Sequence, residues 1–132
     1  MTPVRALTIA HVLDAPVARA PERLALVGRS GRFSYGELDR AANRAAHALA
    51  ALGVRKGDRV AACLPNDVDI VIAFLGTARL GAIWVGVSKP LAAPEKAYCL
   101  RDSGARSTQR SRTRATFTAA CTSRPRRSAL RR

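Results

Sequence analysis

The chain is short of aromatic side chains, cysteines, lysines and long apolar runs, and each shortage narrows what it can be. Three Phe, two Tyr and one Trp in 132 residues oblige any core to be built from Ala, Leu, Val and Ile. The cysteines Cys63, Cys99 and Cys121 lie far apart with no C-x-x-C pair, so no zinc site or disulfide framework is implied. Reduced thiols in a cytoplasmic protein are the plain reading. No apolar run approaches the roughly 18 residues that a membrane span requires. The first twenty residues carry Arg5 and Arg19 but no continuous apolar segment, which argues against a secretory signal. They are weakly amphipathic, as in a mitochondrial transit peptide, but Asp14 and Glu22 count against that reading.

Acidic residues are absent after Asp102. Residues 103–132 hold nine Arg and no acid, whereas residues 1–102 hold nine acids and fourteen of the Lys and Arg. The net charge of +14 therefore divides into +5 for the long amino-terminal part and +9 for a short tail. Ten Ser or Thr accompany the nine Arg in that tail, with only Phe117 and Leu130 as large apolar side chains. Such a composition buries too little surface to offset its ordering entropy, and disorder is the expectation for residues 106–132.

The remainder is patterned. Thr8–Ala20 reads as a helix capped by Thr8 with Ile9, Val12, Leu13 and Val17 on one side, and Pro16 should kink or divide it. Leu24–Val27 and a strand from Phe33 make a hairpin about Arg29-Ser30-Gly31. Ser34 and Glu37 have capping-box spacing. They open a helix whose apolar face is Leu38, Ala41, Ala42, Ala45, Leu49 and Leu52, closed by Gly53. A turn at Gly57-Asp58 leads to a strand over Arg59–Leu64. Asn66 should cap the next helix, with Asp67 and Asp69 near its positive end and Ile70, Val71, Phe74, Leu75 and Ala78 buried. Gly81 ends that helix, and Ala82–Val87 reads as a strand covered on both faces. Pro94 sits in the first turn of a last helix reaching about Asp102. Alternating helices and strands predict an α/β layer with parallel pairing.

No residue stands out as catalytic. His11 and His47 have no evident carboxylate or thiol partner and read as surface or boundary side chains. Cys63 reads as a small buried hydrophobe, Cys99 as an unactivated thiol and Trp84 as core. Ser34 lacks the G-x-S-x-G context of a nucleophile, and Asp67 and Asp69 fit a dipole role better than acid–base work. Gly28-Arg29-Ser30-Gly31 lacks the spacing of a phosphate loop and fits a hairpin turn.

Phe33-Ser34-Tyr35-Gly36-Glu37-Leu38, then Asn43-Arg44-Ala45-Ala46, then Ala51 to Val60, then Leu64-Pro65-Asn66, then Phe74-Leu75-Gly76 with Gly81-Ala82, then Pro94-Glu95 to Ala105 resemble, in order, the opening of the adenylate-forming (AMP-binding) superfamily. The match covers residues 8–105 and resembles its acyl-CoA synthetases. Ser88-Lys89-Pro90 departs from that pattern, in which Asn-Pro is more usual. The resemblance implies an α/β fold, with residues 1–105 an incomplete first lobe of the large amino-terminal domain and 106–132 a disordered basic tail. It also implies a parent activity in two steps. A carboxylic acid attacks the α-phosphate of ATP, with Mg2+, to give an acyl-adenylate, and the thiol of CoA or of a carrier then displaces AMP.

The family's phosphate-cradling loop, its magnesium-binding acid and its catalytic Lys have no counterpart in this sequence. No catalytic, cofactor-binding or metal residue is therefore assigned, no cofactor is expected for this chain itself, and inactivity is the expectation. Where the family has an apolar strand after Ala105, this chain reads Ser107-Thr108-Gln109-Arg110. Twenty Arg against three Lys suggest GC-rich codons, and a change of reading frame near Arg106 accounts for the tail. Two alternatives stand beside it: a tail that binds nucleic acid through phosphates, and a docking subunit for a separate synthetase chain. An anionic-membrane tether is weaker still, because the tail has no apolar helix face. Neither the acid nor the oligomeric state is specified.

Overall fold

The computed structural model describes residues 8–105 and 121–123. Ile9–His11 form a 3-10 turn and Asp14–Arg19 form helix α1. The expected single helix is divided at Val12-Leu13, upstream of the proline, because the Pro16 ring would clash with the carbonyl four residues earlier. Pro16 itself sits in the first turn of α1, where its missing N–H would have had no intrahelical partner. Thr8 makes no side-chain cap. Only Leu13 of the predicted stripe is buried, with Val17 packed near it, while Ile9 and Val12 are exposed.

Strands β1 (Leu24–Gly28) and β2 (Gly31–Ser34) pair antiparallel, with Gly28 opposite Gly31. The hairpin runs straight into helix α2 (Tyr35–Ala51), whose free amides are all accounted for. Tyr35 and Gly36 donate to the carbonyls of Arg23 and Pro21 at 3.0 and 2.8 Å. The Glu37 amide donates to Ser34 Oγ at 3.3 Å, and the Ser34 amide to Glu37 Oε2 at 2.8 Å. The predicted capping box is therefore formed in both directions. Leu38, Ala41, Ala42, Ala45 and Leu49 are buried as expected, and Ala46 with them. Leu52 is not: it lies past the last turn and is 67% exposed. Gly53, at φ +86°, reverses the chain, a conformation that costs a glycine little.

Strand β3 (Arg59–Ala62), helix α3 (Val68–Arg79) and strand β4 (Ile83–Gly86) form a parallel β–α–β unit, with Val60 opposite Trp84. Both strands are shorter than the sequence suggests. The cap of α3 is Asp67 rather than Asn66. Asp67 has the extended backbone of a cap residue, and its carboxylate accepts from the Val68 amide at 2.8 Å. The predicted face of α3 is also only partly right: Leu75 is buried, but so are Val68, Ala73, Gly76 and Thr77, with Ile70, Val71, Phe74 and Ala78 half-buried. A helix wedged between α2 and a sheet needs apolar side chains over most of its circumference. Helices cover both faces of strand β4, with Trp84 against Phe74 of α3 and Val85 in the cluster with α4, but its first residue, Ile83, is 46% exposed at the outer edge of the sheet.

Helix α4 (Ala93–Asp102) starts with Pro94 in its first turn, and Glu95 accepts from the Ala92 amide at 2.7 Å. Its Cys99 and Leu100 pack against Ala61 and Val87. Within the stretch read as a disordered tail, Cys121–Ser123 form a third strand, β5, antiparallel to β3. An open strand edge pairs through backbone groups, so even a sequence without apolar character can satisfy it. The expectation for the rest of 106–132 lies outside the described residues. The sheet order is β4-β3-β5.

Candidate functional site

A cleft of about 290 Å³ lies where the hairpin meets the start of α3, with Leu26, Val27, Asn66, Asp67 and Val71 among its walls. Its chemistry is set by Asp67. One carboxylate oxygen caps α3 through the Val68 amide, and the other accepts from the Ser30 amide at 3.1 Å and the Ser30 hydroxyl at 2.5 Å. These donors, the Ser30 hydroxyl foremost and the Val68 amide next, hold the Asp67 carboxyl below its ordinary range. A carboxylate already seated on the helix amides removes the vacancy that a phosphate would use. The approach is close: a Cβ on Gly28 would lie 2.0 Å from Asp67 Oδ1. The Arg29-Ser30 turn is thus latched to α3, and Gly28–Gly31 is the hairpin turn that the sequence suggests.

Two other polar groupings join elements, and a third lies within α3. Arg79 donates to Asp39 Oδ1 at 2.5 Å, to the Asp39 carbonyl at 2.9 Å and to Asn43 Oδ1 at 2.5 Å, clamping α3 to α2. Asp58, 4% exposed, accepts from the Arg55 amide at 2.8 Å, and its carbonyl takes the Ile83 amide at 2.7 Å at the start of the parallel ladder. Thr77, fully buried, donates to the Ala73 carbonyl at 2.8 Å. Sequence reasoning missed Arg79. The Asp39 and Asn43 spacing of four residues was visible, but nothing local links it to a side chain 36 positions on.

The residues weighed from the sequence are dispersed. His11 does have a carboxylate partner, contrary to expectation: its Nδ1 lies 3.0 Å from Asp14 Oδ2, with both side chains about half exposed. Three residues is one helical turn, a spacing that should have flagged the pair. His47 is exposed on α2. Cys63 and Cys99 are free and half-buried against the same apolar cluster. Trp84 is half-buried edge-on to Phe74, ring centroids 5.9 Å apart. Ser34 is occupied as a cap, and the Ser34 amide and hydroxyl lower the pKa of Glu37. Among the described residues no group of three or more His, Cys, Asp or Glu could hold a metal ion, and no helix is long and apolar enough to cross a membrane.

The geometry defines a class: a parallel β–α–β unit with helices on both faces, entered through a hairpin latched to the crossover helix. Residues 13–127 match the model of the AMP-binding enzyme family, and the chain belongs to that family. It is 47% identical over 75 residues to the long-chain-fatty-acid–CoA ligase FadD13 of Mycobacterium tuberculosis, covering 57% of this chain and 15% of that enzyme. It is 37% identical over 97 residues to a 3-hydroxybenzoate/4-hydroxybenzoate–CoA ligase of Thauera aromatica, covering 73% of this chain and 18% of that enzyme. The crystal structure of the amino-terminal domain of FACL13 from Mycobacterium tuberculosis superposes with a TM-score of 0.71 at 41% identity, covering 74% of this chain and 26% of that one. The chain thus corresponds to an amino-terminal segment of acyl-CoA ligases and spans 15–18% of the length of these curated relatives.

Proposed function

We propose that this chain is the opening segment of an ATP-dependent acyl-CoA synthetase and is inactive by itself. The observation that carries the reading is the 47% identity to a long-chain-fatty-acid–CoA ligase over 75 residues. The parent reaction would join a carboxylic acid to AMP from ATP, with Mg2+, and pass the acyl group to CoA. This chain's own residues would supply scaffold to that reaction. The latch at Asp67, the clamp at Arg79 and the turn at Asp58 fix one edge of the large domain and touch no reacting atom in this reading. These 132 residues contain no Ser/Thr/Gly-rich loop ending in Lys, the kind of loop whose backbone amides cradle a triphosphate.

A frame change near Arg106 is part of the same reading, as is a cytoplasmic location. Translation of the genomic DNA in all frames past codon 105 would recover an apolar strand and then such a loop. If no frame does, the frame-change reading is wrong. For activity, the purified chain should give no pyrophosphate exchange with ATP, Mg2+ and a panel of fatty and aromatic acids, and exchange above the blank would refute inactivity. A nucleic-acid-binding tail is favoured by one observation, nine Arg and no acid over residues 103–132. It would appear as salt-sensitive retention on DNA that disappears when residues 107–132 are removed.

A further inference from the structure

Side chains of adjacent residues in a strand point to opposite faces of the sheet. Val60 of β3 packs with Leu49 of α2 and with Leu80 at the end of α3, whereas Ala61 and Cys63 pack with Cys99 and Leu100 of α4. Strand β4 repeats the alternation, with Trp84 against Phe74 of α3 and Val85 in the cluster with α4. Helices α3 and α4 therefore lie on opposite faces of the β3–β4 pair.

Crossovers between parallel strands of one sheet are right-handed in about 98% of cases. The crossover through α3 carries the chain from β3 sideways to β4. A crossover through α4, on the opposite face, must carry it back the other way to keep the same hand. A strand following α4 in this architecture thus belongs beside β3, on the edge away from β4, parallel to both. That edge is already taken: Arg59, Val60 and Ala61 pair with Ser123, Thr122 and Cys121, antiparallel.

We propose that Cys121–Ser123 is a stand-in strand, filling in reversed direction the slot that the handedness of the fold reserves for a third parallel strand. The slot fits an extended apolar segment running parallel to β3, such as the remainder of an adenylate-forming domain would present. The inference depends on the α/β architecture and the α4 contacts, and it holds whether or not the chain has activity. The stand-in protects β3 from pairing with the same edge on another molecule.

The test is amide hydrogen exchange on the full 132-residue chain, with light scattering for mass. Because the carbonyls of Asp58 and Ala62 face β4, Arg59 and Ala61 face β5, and the Ser123 amide faces β3. In Ser123→Pro, the lost donor and fixed backbone should abolish protection of the outward-facing Arg59 and Ala61 amides and raise the mass above that of the parent chain. Ser123→Val, which favours a strand, should keep both as in the parent chain. Unchanged Trp84 emission in Ser123→Pro would show that the β3–β4 unit still folds. Protected Arg59 and Ala61 amides in a folded Ser123→Pro chain would overturn the proposal, as would equal loss of protection in Ser123→Val. Failure of the acyl-CoA synthetase reading would show in pyrophosphate exchange and leave these outcomes untouched.

Discussion

Ser34, Glu37 and Asp67 each satisfy amides that the start of a helix leaves without partners. Replacing Ser34 by Ala removes the acceptor for the Glu37 amide and should cost about 1 kcal/mol, read as a lower urea midpoint with an unchanged slope. Both acids have folded-state pKa values below their ordinary 4.5 and 3.8. Their contributions are therefore fully present above those values and are lost as pH falls through the lowered folded ones. Stability should decline on acidification below about pH 4.5, and Asp67→Ala should flatten that decline in a pH series of melting temperatures. An acid limb of equal steepness in the variant would show that Asp67 is not one of the groups responsible.

At the scale of elements, the contact between α2 and α3 decides whether the segment holds together. Gly76 lets the two helices touch, because a Cβ there would lie 2.6 Å from Ala45 Cβ and 3.0 Å from the Ala46 amide nitrogen. Alanine improves helix propensity by up to about 1 kcal/mol, but the obstructing Ala46 atom is backbone and cannot rotate away. Overpacking should win, with a net loss of about 1–3 kcal/mol for Gly76→Ala; a neutral or raised melting temperature would contradict that packing. Arg79→Ala strips the donors from Asp39 and Asn43 and should cost about 1.5–3 kcal/mol, measured by urea unfolding.

Local signals were legible and distant ones were not. The capping box at Ser34, the glycine closing α2 and Pro94 in α4 follow from chemistry within a turn of chain, and the sequence pattern was enough for them. The Asp67 latch depends on Ser30, 37 residues away, and the exposure of Ile83 on which strands flank β4. Neither leaves a periodic trace. The shift of the α3 cap from Asn66 to Asp67 has the same origin: both residues can cap, and the docked Ser30 turn decides between them.

At the scale of the molecule, the chain is a family member that spans a small part of its relatives' length. A segment matching 26% of a solved amino-terminal domain should expose strand edges and apolar side chains, and Leu24, Val27 and Ile83 are each about half exposed. The central claim is that this segment is a working amino-terminal piece of an acyl-CoA synthetase. Its most direct test replaces the matching segment of Mycobacterium tuberculosis FadD13 with residues 13–105 of this chain and measures ATP–pyrophosphate exchange with a long-chain fatty acid. The account predicts a chimera that exchanges pyrophosphate while the 132-residue chain alone does not. A chimera that folds with the stability of its parent yet exchanges none would contradict it.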